Sequence, residues 1–593
     1  MSSQAMTAGG ARPWVVWLAP VASAALLYLS FFPVACGPLA WVALAPWLSL
    51  VRAPRRTRWL YLAAWLGGVF FFWLPVLQWM RFADLRMYFT WVALSLYCAG
   101  YAVPALFLTR MLDRRTRLPL VLTFPLVWVA AEFVRSGVAG SFISTLTGSH
   151  LHDYPGGFGW YLLGHSQHDF LALIQVADLA GVYAVCFLLA AVNALLFEAL
   201  YSWAPFRRGL LGDAPGPRWG PRALLGQGAG VAALLVGTLG YGGWRLGQDA
   251  GRPGPRVALL QGNIDQRIRI ASSAPEEEER ERAKANMGGH YAALARLAAR
   301  QGVDLIVWPE TSYPGTWGEV ETGQMDLRRL DLAAGIDHCG TPQLLGVAAL
   351  VLGRDGKWRD YNSAVLIERG CRWAGRYDKM HRVPFGEYVP LRDALPWLKW
   401  IAPYSFDYSV SPGNTFTRFG LHDRGGELSR FGVVICYEDT DPGMATPYVG
   451  GAGEPVDFLV NISNDGWFAG TSEHDQHLAL CRFRAVECRR SVARAVNMGI
   501  SAVIDGNGRV LAPTTTEVGG LTLWEAPAGA GALAVSDWHA YKKNAGVLVA
   551  TIPLDARESF YARHGDWFAA GCAGGVLASL VVVGLRRVCG WVP

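Results

Sequence analysis

A carboxylate, an ammonium and a thiol stand where three stretches of this chain turn from apolar to polar. Glu310 follows the run VDLIVWP, Lys379 lies in RYDKMHRVPFGEYVP, and Cys436 closes the run FGVVI. Cysteine attacks a carbonyl as its thiolate, so a neighbouring carboxylate that takes the proton activates it. An ammonium beside them steadies the oxyanion of the tetrahedral intermediate, and the backbone N–H of Tyr437 is placed as a second donor. Taken singly, each residue also fits a plainer role. A cysteine ending a buried strand is a packing residue, Glu310 can cap a turn, and Lys379 can be a surface charge. Glu387 and Glu438 can be salt-bridge partners. No G-x-S-x-G elbow, glycine-rich nucleotide loop or HExxH motif competes with this set.

The elements that must position these groups are strands ending at rigid points. Apolar runs at 257–263, 303–311, 344–352, 362–370, 431–439 and 457–465 read as buried strands. A charged helix is expected over about 275–300 and a long one over about 475–496, with a hairpin turning at Asp505-Gly506-Asn507-Gly508. Mixed strands and helices in this order predict a layered α/β sandwich with helices over both sheets. The acidic stretch EEEERER (276–282) reads as a solvated helix face.

Outside 250–560 the chain changes character. Over all 593 residues, 52% are hydrophobic and 17% charged, against about a quarter charged in soluble domains. Runs near the roughly 20 residues that a helix needs to cross a bilayer occur at 14–34, 36–52, 59–80, 88–109, 118–135, 171–197, 223–244 and 566–585. The first is long and lacks a small-residue cleavage site, so it reads as a span and not as a signal peptide. The expected organisation is a seven-helix membrane domain (1–245), a soluble domain (250–560) and a C-terminal helix with a short tail (566–593). Arginines cluster at 52, 55, 56 and 58, at 110, 114, 115 and 117, at 207, 208, 218 and 222, and at 586 and 587. The alternate loops hold only Arg81, Arg86 and Arg135. Positive charge marks the cytoplasmic side, which puts both termini there and the soluble domain on the opposite face. The net charge of +6 is thus a topology signal, and without basic stripes interleaved with aromatics nucleic-acid binding is excluded.

Ten cysteines without CxxC spacing give neither a zinc site nor a disulfide framework. Cys481 and Cys488 read as small buried hydrophobes. His150, His152, His165 and His168 fall in the loop 136–170 without ligand spacing, so no metal is expected, and that loop is either a connector or a floor beside the site. Glu132, Asp178 and Glu198 read as interfacial or helix-packing groups.

The strings WPET (308–311), YDKMHRVPFGEYVP (377–390), ICYED (435–439), NISNDGWF (461–468) and RAVECRRSVARAVNMGISAVIDGNG (484–508) resemble the carbon–nitrogen hydrolase, or nitrilase, superfamily. VPFGEYVP, and NDGWF followed by EHDQH, look like one branch of it, the bacterial apolipoprotein N-acyltransferases. FPLVWVAAEFVRS (124–136) and QVADLAGVYAVCFLLAAVNALL (175–196) extend that resemblance into the membrane half. It implies an eight-helix polytopic membrane protein with an inserted nitrilase-like αββα domain facing the periplasm from the bacterial inner membrane. It further implies Cys436 as nucleophile, Glu310 as general base and Lys379 as oxyanion-stabilising residue. Glu387, Tyr437 and Glu438 are implied as supporting residues. The implied reaction takes an acyl chain from a phospholipid, typically phosphatidylethanolamine, through a cysteine thioester. The acceptor is the amine of a diacylglyceryl-cysteine apolipoprotein, and the resemblance implies no cofactor. Trp467 and Phe468 are candidates to cover the thioester against water, and nothing in the chemistry requires more than one copy. QGNIDQRIRI departs from the family pattern at Asp265 and Ile270, where the resemblance would place a proline and a tryptophan. Two rivals are a membrane-tethered amidase using the same three residues, and a transporter or inactive assembly factor. The eight spans speak against the first and the complete residue set against the second.

Overall fold

The computed structural model describes residues 13–53, 57–142, 157–211, 216–248, 251–272, 276–320, 340–389 and 409–588. Among the described residues, six helices are long and apolar enough to cross a membrane: Arg58–Val76, Met87–Arg115, Leu120–Phe142, Val182–Ser202, Pro221–Leu246 and Trp567–Arg586. Two of the eight expected spans, 14–34 and 36–52, fall outside these six. The first is a shorter helix, Trp14–Ser30. The stretch 36–52 is a 3-10 turn, Gly37–Trp41, followed by the eight-residue helix Ala45–Arg52. Asn193 is the physical reason. Its Oδ1 accepts from the amides of Leu44 (2.7 Å) and Ala45 (3.1 Å), and its Nδ2 donates to the Ala40 carbonyl (2.9 Å). A side chain from a neighbouring helix thus satisfies the backbone groups that a continuous helix would pair internally. The expected span 171–197 is likewise interrupted, at Gly181 with φ +64°, and its long helix starts at Val182.

Three of the arginine clusters meet at one end of the bundle. Arg52 pairs with Asp113 (3.2 Å) and donates to Glu198 (2.9 Å), Arg218 reaches Asp113 (3.4 Å), and Arg110 donates to the carbonyls of Leu50, Val51 and Ala53. Glu198 is therefore an ion-pair partner inside that cluster.

The inserted domain holds two sheets. The larger runs Thr514–Val518, Leu521–Ala526, Gly546–Asp555, Gly251–Gln261, Leu305–Val307, Gln343–Leu352, Trp358–Glu368 and Arg372–Asp378, with Thr316–Val320 also pairing Gln343–Leu352. The smaller runs Ala502–Ile504, Ser491–Val496, Phe458–Ser463, Leu428–Ile435 and Arg418–His422. Alternation along each strand divides the core. Val257 and Leu259 face the second sheet in one cluster with Val433, Ile435, Val460 and Ile462. Ala258 and Leu260 turn outward onto Met287, Tyr291 and Leu294 of the helix Glu277–Arg300. The start of that helix is exposed and acidic, as a solvated N-terminal turn should be.

The helix Glu473–Cys488 covers the smaller sheet, and every one of its residues is buried. Leu478 and Cys481 pack on the sheet side, while Phe483 and Val486 join the core of the membrane half. The expected helix over 475–496 ends early because Arg489 turns left-handed (φ +50°), after which Ser491–Val496 is a strand. Arg489 is buried and binds Asp178 (2.7 Å) and Gln175 (2.7 Å) of the membrane half. Asp178 is thus a buried anchor between the two halves, with Arg245 as its second partner (2.8 Å).

Candidate active site

Glu310, Lys379 and Cys436 come from different strands and meet at one end of the sandwich. Glu310 lies three residues past Leu305–Val307, and Lys379 follows Arg372–Asp378 directly. A β-carbon at Gly346 would sit 2.0 Å from the Pro309 carbonyl oxygen, so only glycine lets the chain before Glu310 pass this closely. Lys379 is buried, and its Nζ donates to Glu387 Oε1 (2.8 Å) and Glu310 Oε1 (3.3 Å). Asn362 Nδ2 donates to the same two oxygens, at 2.7 Å to Glu310 and 3.0 Å to Glu387. The second oxygen of Glu387 accepts from the Val383 amide (2.8 Å). One ammonium and one amide thus hold two carboxylates in register. Burial opposes the charge on Lys379, but Glu387 and then Glu310 outweigh it and hold the ammonium well above its ordinary range. Burial likewise opposes the charge on Glu387, and Lys379 keeps its carboxyl below the usual value.

Cys436 follows the strand Leu428–Ile435 in a left-handed conformation (φ +52°) and opens the 3-10 turn Cys436–Thr440. For a non-glycine residue this conformation costs on the order of 1–3 kcal/mol and needs surrounding structure to hold it. Glu438 supplies that structure. Its Oε2 accepts from the Ile435 amide (2.7 Å) and the Tyr377 hydroxyl (2.9 Å). Its Oε1 accepts from the amides of Met380 (2.6 Å) and His381 (3.0 Å). One buried carboxylate therefore clips the cysteine turn to the segment carrying Lys379. Burial, and then the charge of Glu310, push the Cys436 thiol well above its ordinary range. The resting nucleophile is a thiol beside a carboxylate and an ammonium, an arrangement suited to deprotonation during attack.

Tyr437 and Phe468 both pack against the aromatic cluster of the membrane half. The Phe468 ring meets Trp79 edge-on at 4.6 Å, and the Tyr437 ring meets His381 at 5.0 Å. Trp467 is half-buried in the turn Asp465–Phe468. The described part of the loop 136–170 forms the floor here. Arg135 donates to the carbonyls of Phe158 and Trp160 (both 2.8 Å), and Trp160 and Tyr161 pack beside Trp79 and Phe31. His150 and His152 lie outside the described residues. His168 stacks on Phe32 at 5.2 Å, and His165 packs on Phe483 at 5.1 Å. Asp265 caps the helix Gln266–Ala271 by accepting from the Arg267 amide (2.9 Å), and Ile270 is exposed.

A buried charge network backs the cysteine turn, and the sequence reading did not identify it. Arg494 donates to Asp439 (2.8 Å), Asn461 (2.6 Å) and Asp465 (2.9 Å). His477 Nε2 faces Asp439 at 2.7 Å and its Nδ1 faces Asp465 at 3.1 Å. The signal was an arginine in the middle of an apolar strand, SVARAV, which has to be paired if buried. Asp465, Glu473 and His477 present ligand atoms within 4.8 Å of one another. The guanidinium of Arg494 already supplies the positive charge a metal ion would bring, and both His477 nitrogens are taken.

Burial and Arg494 push the His477 imidazolium down, but Asp439 and Asp465 outweigh them and raise it to about 10. The unfolded value is near 6.5. The resulting stabilisation is full below about pH 6.5 and is lost as pH rises through about 10. Melting temperature in detergent is expected to fall from neutral pH to beyond about pH 10, and less steeply in His477→Gln. Equal slopes in the two proteins would remove His477 as the titrating group.

The α/β sandwich, its cysteine–glutamate–lysine cluster and the apolar helices on either side define a membrane-bound enzyme of the carbon–nitrogen hydrolase class. Residues 256–527 match the Carbon-nitrogen hydrolase family, and residues 23–195 match the Apolipoprotein N-acyltransferase N-terminal domain. The chain belongs to the apolipoprotein N-acyltransferase family. A relative of that name from Geobacter metallireducens is 32% identical over 581 residues, covering 96% of this chain and 95% of its own. Another, from Rhodopirellula baltica, is 30% identical over 563 residues, covering 84% of this chain and 89% of its own. One from Chlorobaculum tepidum is 26% identical over 591 residues, covering 96% of each chain.

Proposed function

We propose that this enzyme moves a fatty acyl chain from a membrane phospholipid, through a thioester on Cys436, to the N-terminal amine of a diacylglyceryl-cysteine apolipoprotein. The observation that carries the reading is the position of the nucleophile. Cys436 sits beside Glu310 and Lys379, and the next residue, Tyr437, packs on the aromatic cluster of the membrane half. A soluble amide would need no such floor, whereas a lipid ester does.

In the first step Glu310 takes the Cys436 Sγ proton as sulfur attacks the ester carbonyl. The oxyanion faces the Lys379 ammonium and the Tyr437 N–H. The C–O bond breaks, the proton passes from Glu310 to the departing lysophospholipid oxygen, and the acyl chain remains as thioester. In the second step the acceptor amine attacks, Glu310 takes its proton, the C–S bond breaks and the proton returns to Sγ. Glu387 holds Lys379, and Glu438 holds the cysteine turn. Trp467 and Phe468 keep water from the thioester. Phosphatidylethanolamine is the proposed donor, and a single copy without cofactor suffices.

The proposed topology keeps eight crossings, counting Trp14–Ser30 and the broken segment 36–52 as an antiparallel pair. Trp47 N donating to Ser23 Oγ (2.8 Å) supports that pairing. The arginine-rich end would face the cytoplasm of a bacterial inner membrane and the catalytic domain the periplasm. The proposed domains are 1–245, 250–560 and 566–593.

The test is intact mass after exposure to phosphatidylethanolamine, in wild type and in Cys436→Ser. Wild type alone should gain one hydroxylamine-labile acyl chain, discharged by a diacylated lipopeptide. Absence of an adduct with every phospholipid tried would overturn the reading in favour of a small-amide hydrolase. In the same assay, alanine at both Trp467 and Phe468 should shift discharge from transfer toward hydrolysis.

A further inference from the structure

A polar cavity lies beside the nucleophile, where the catalytic domain meets three membrane helices. It is lined by His381, Tyr437, Asp441 and Arg484 of the domain, and by Ser136, Tyr183 and Asp566 of the membrane half among others. Tyr183 is the second residue of the helix Val182–Ser202, and Asp566 directly precedes Trp567–Arg586. On the proposed topology the cavity lies at the level of a bilayer's polar interface. Its volume is about 50 Å3, room for a few waters at about 10–15 Å3 each. Ser136, Asp441 and Asp566 are partly exposed, which leaves a way in from the interface.

The charges on its wall have opposite signs and are incompletely matched. Arg484 is buried, ion-pairs through Nη2 with Glu487 (2.6 Å) and donates through Nη1 to the Thr440 carbonyl (3.3 Å), which leaves only its Nε without a hydrogen-bond partner. Asp441 accepts from His381 Nδ1 (3.1 Å) and from the Gly443 amide (2.8 Å). Asp566 accepts from the Tyr561 hydroxyl through one oxygen (2.5 Å). An unpartnered guanidinium N–H buried in protein costs free energy that a bound anion would recover. Two carboxylates facing one cavity make it attractive to a cation as well.

We propose that this cavity receives the zwitterionic headgroup of the acyl donor, with the Arg484 guanidinium toward the phosphate and Asp441 and Asp566 toward a primary ammonium. The assignment rests on the acyl-transfer reading and adds to it a determinant of donor choice. A phosphoethanolamine-type headgroup carries both charges in one short fragment, whereas a phosphoglycerol headgroup carries only the anion. Seating the headgroup beside Tyr437 would bring the adjoining ester within reach of Cys436.

The test uses the full chain in nanodiscs and two readouts. The first is the charging rate of Cys436 from phosphatidylethanolamine and from phosphatidylglycerol with identical acyl chains. Wild type should favour the ethanolamine lipid, and the double variant Asp441→Asn, Asp566→Asn should cut that preference about tenfold, the worth of a lost charge-assisted hydrogen bond. Arg484→Lys should slow charging from both lipids and leave the preference in place. The second readout is binding of a short-chain phosphatidylethanolamine to Cys436→Ser, followed by native mass spectrometry. It reports on the cavity even if no thioester forms, so failure of the cavity and failure of the acyl-transfer reading are distinguishable. The double variant should weaken this binding while melting as the parent does. Unchanged headgroup preference and unchanged binding would overturn the proposal. So would a defect confined to discharge by the lipopeptide, which would give the cavity to the acceptor's amine.

Discussion

Replacing Lys379 by methionine is expected to slow acyl charging of Cys436 by more than the about hundredfold to thousandfold that deleting one oxyanion donor usually costs. The excess is expected because the same ammonium separates two carboxylates. Glu310 Oε1 and Glu387 Oε1 both accept from Lys379 Nζ and from Asn362 Nδ2. Without the cation, two buried like charges share one neutral amide, and one of them takes up a proton. If that is Glu310, the base is lost together with the oxyanion partner. Adding Glu387→Gln to Lys379→Met should relieve the repulsion without restoring the oxyanion donor. The double variant is thus expected to melt above the single one and to stay slow. Charging near the wild-type rate in Lys379→Met would remove the lysine from the chemistry. Identical melting of single and double variants would show that the two carboxylates are not coupled through it.

The placement of this cluster was legible because each reactive residue ends an apolar run, and a strand end is where a sheet can present a polar group. Its supports were harder to read. Asn362 sits in NSAVLIE as an ordinary strand residue, and only the folded register shows it beneath both glutamates. The close pass that requires Gly346 depends on Pro309, which is far from it in sequence. The strand Gly546–Asp555, absent from the expected strands despite its plain apolar pattern, pairs antiparallel with Gly251–Gln261 at the centre of the larger sheet. The helix expected over 475–496 ends early at Cys488, and no glycine marks its end at Arg489. The left-handed turn there accompanies the buried pairing of Arg489 with Asp178, a contact between the two halves that local propensity does not encode. The stretch 36–52 is broken for a related reason, since Asn193 takes over the hydrogen bonds that make a helix continuous at Leu44 and Ala45.

Glu438→Gln is the sharpest structural test, because it changes almost no volume and reverses the polarity of half the group. The native carboxylate faces four donors: three backbone amides and the Tyr377 hydroxyl. Glutamine brings an NH2 that must point at two of them whichever way it is turned. The two Oε1 donors belong to Met380 and His381, and the Oε2 donors to Ile435 and Tyr377. One orientation frees the segment that carries Lys379, and the other frees the strand end before Cys436. Stability should fall by about 3 kcal/mol or more, as when a buried charged hydrogen-bond network loses one partner. The charging rate should fall as well, since the left-handed conformation at Cys436 loses its support. Tyr377→Phe removes a single donor and leaves the backbone clip intact, so it should cost only about 1 kcal/mol and leave charging close to wild type. Equal effects of the two substitutions would mean that Glu438 acts through Tyr377 alone. A Glu438→Gln protein as stable and as fast as wild type would show that the cysteine turn is held by other contacts.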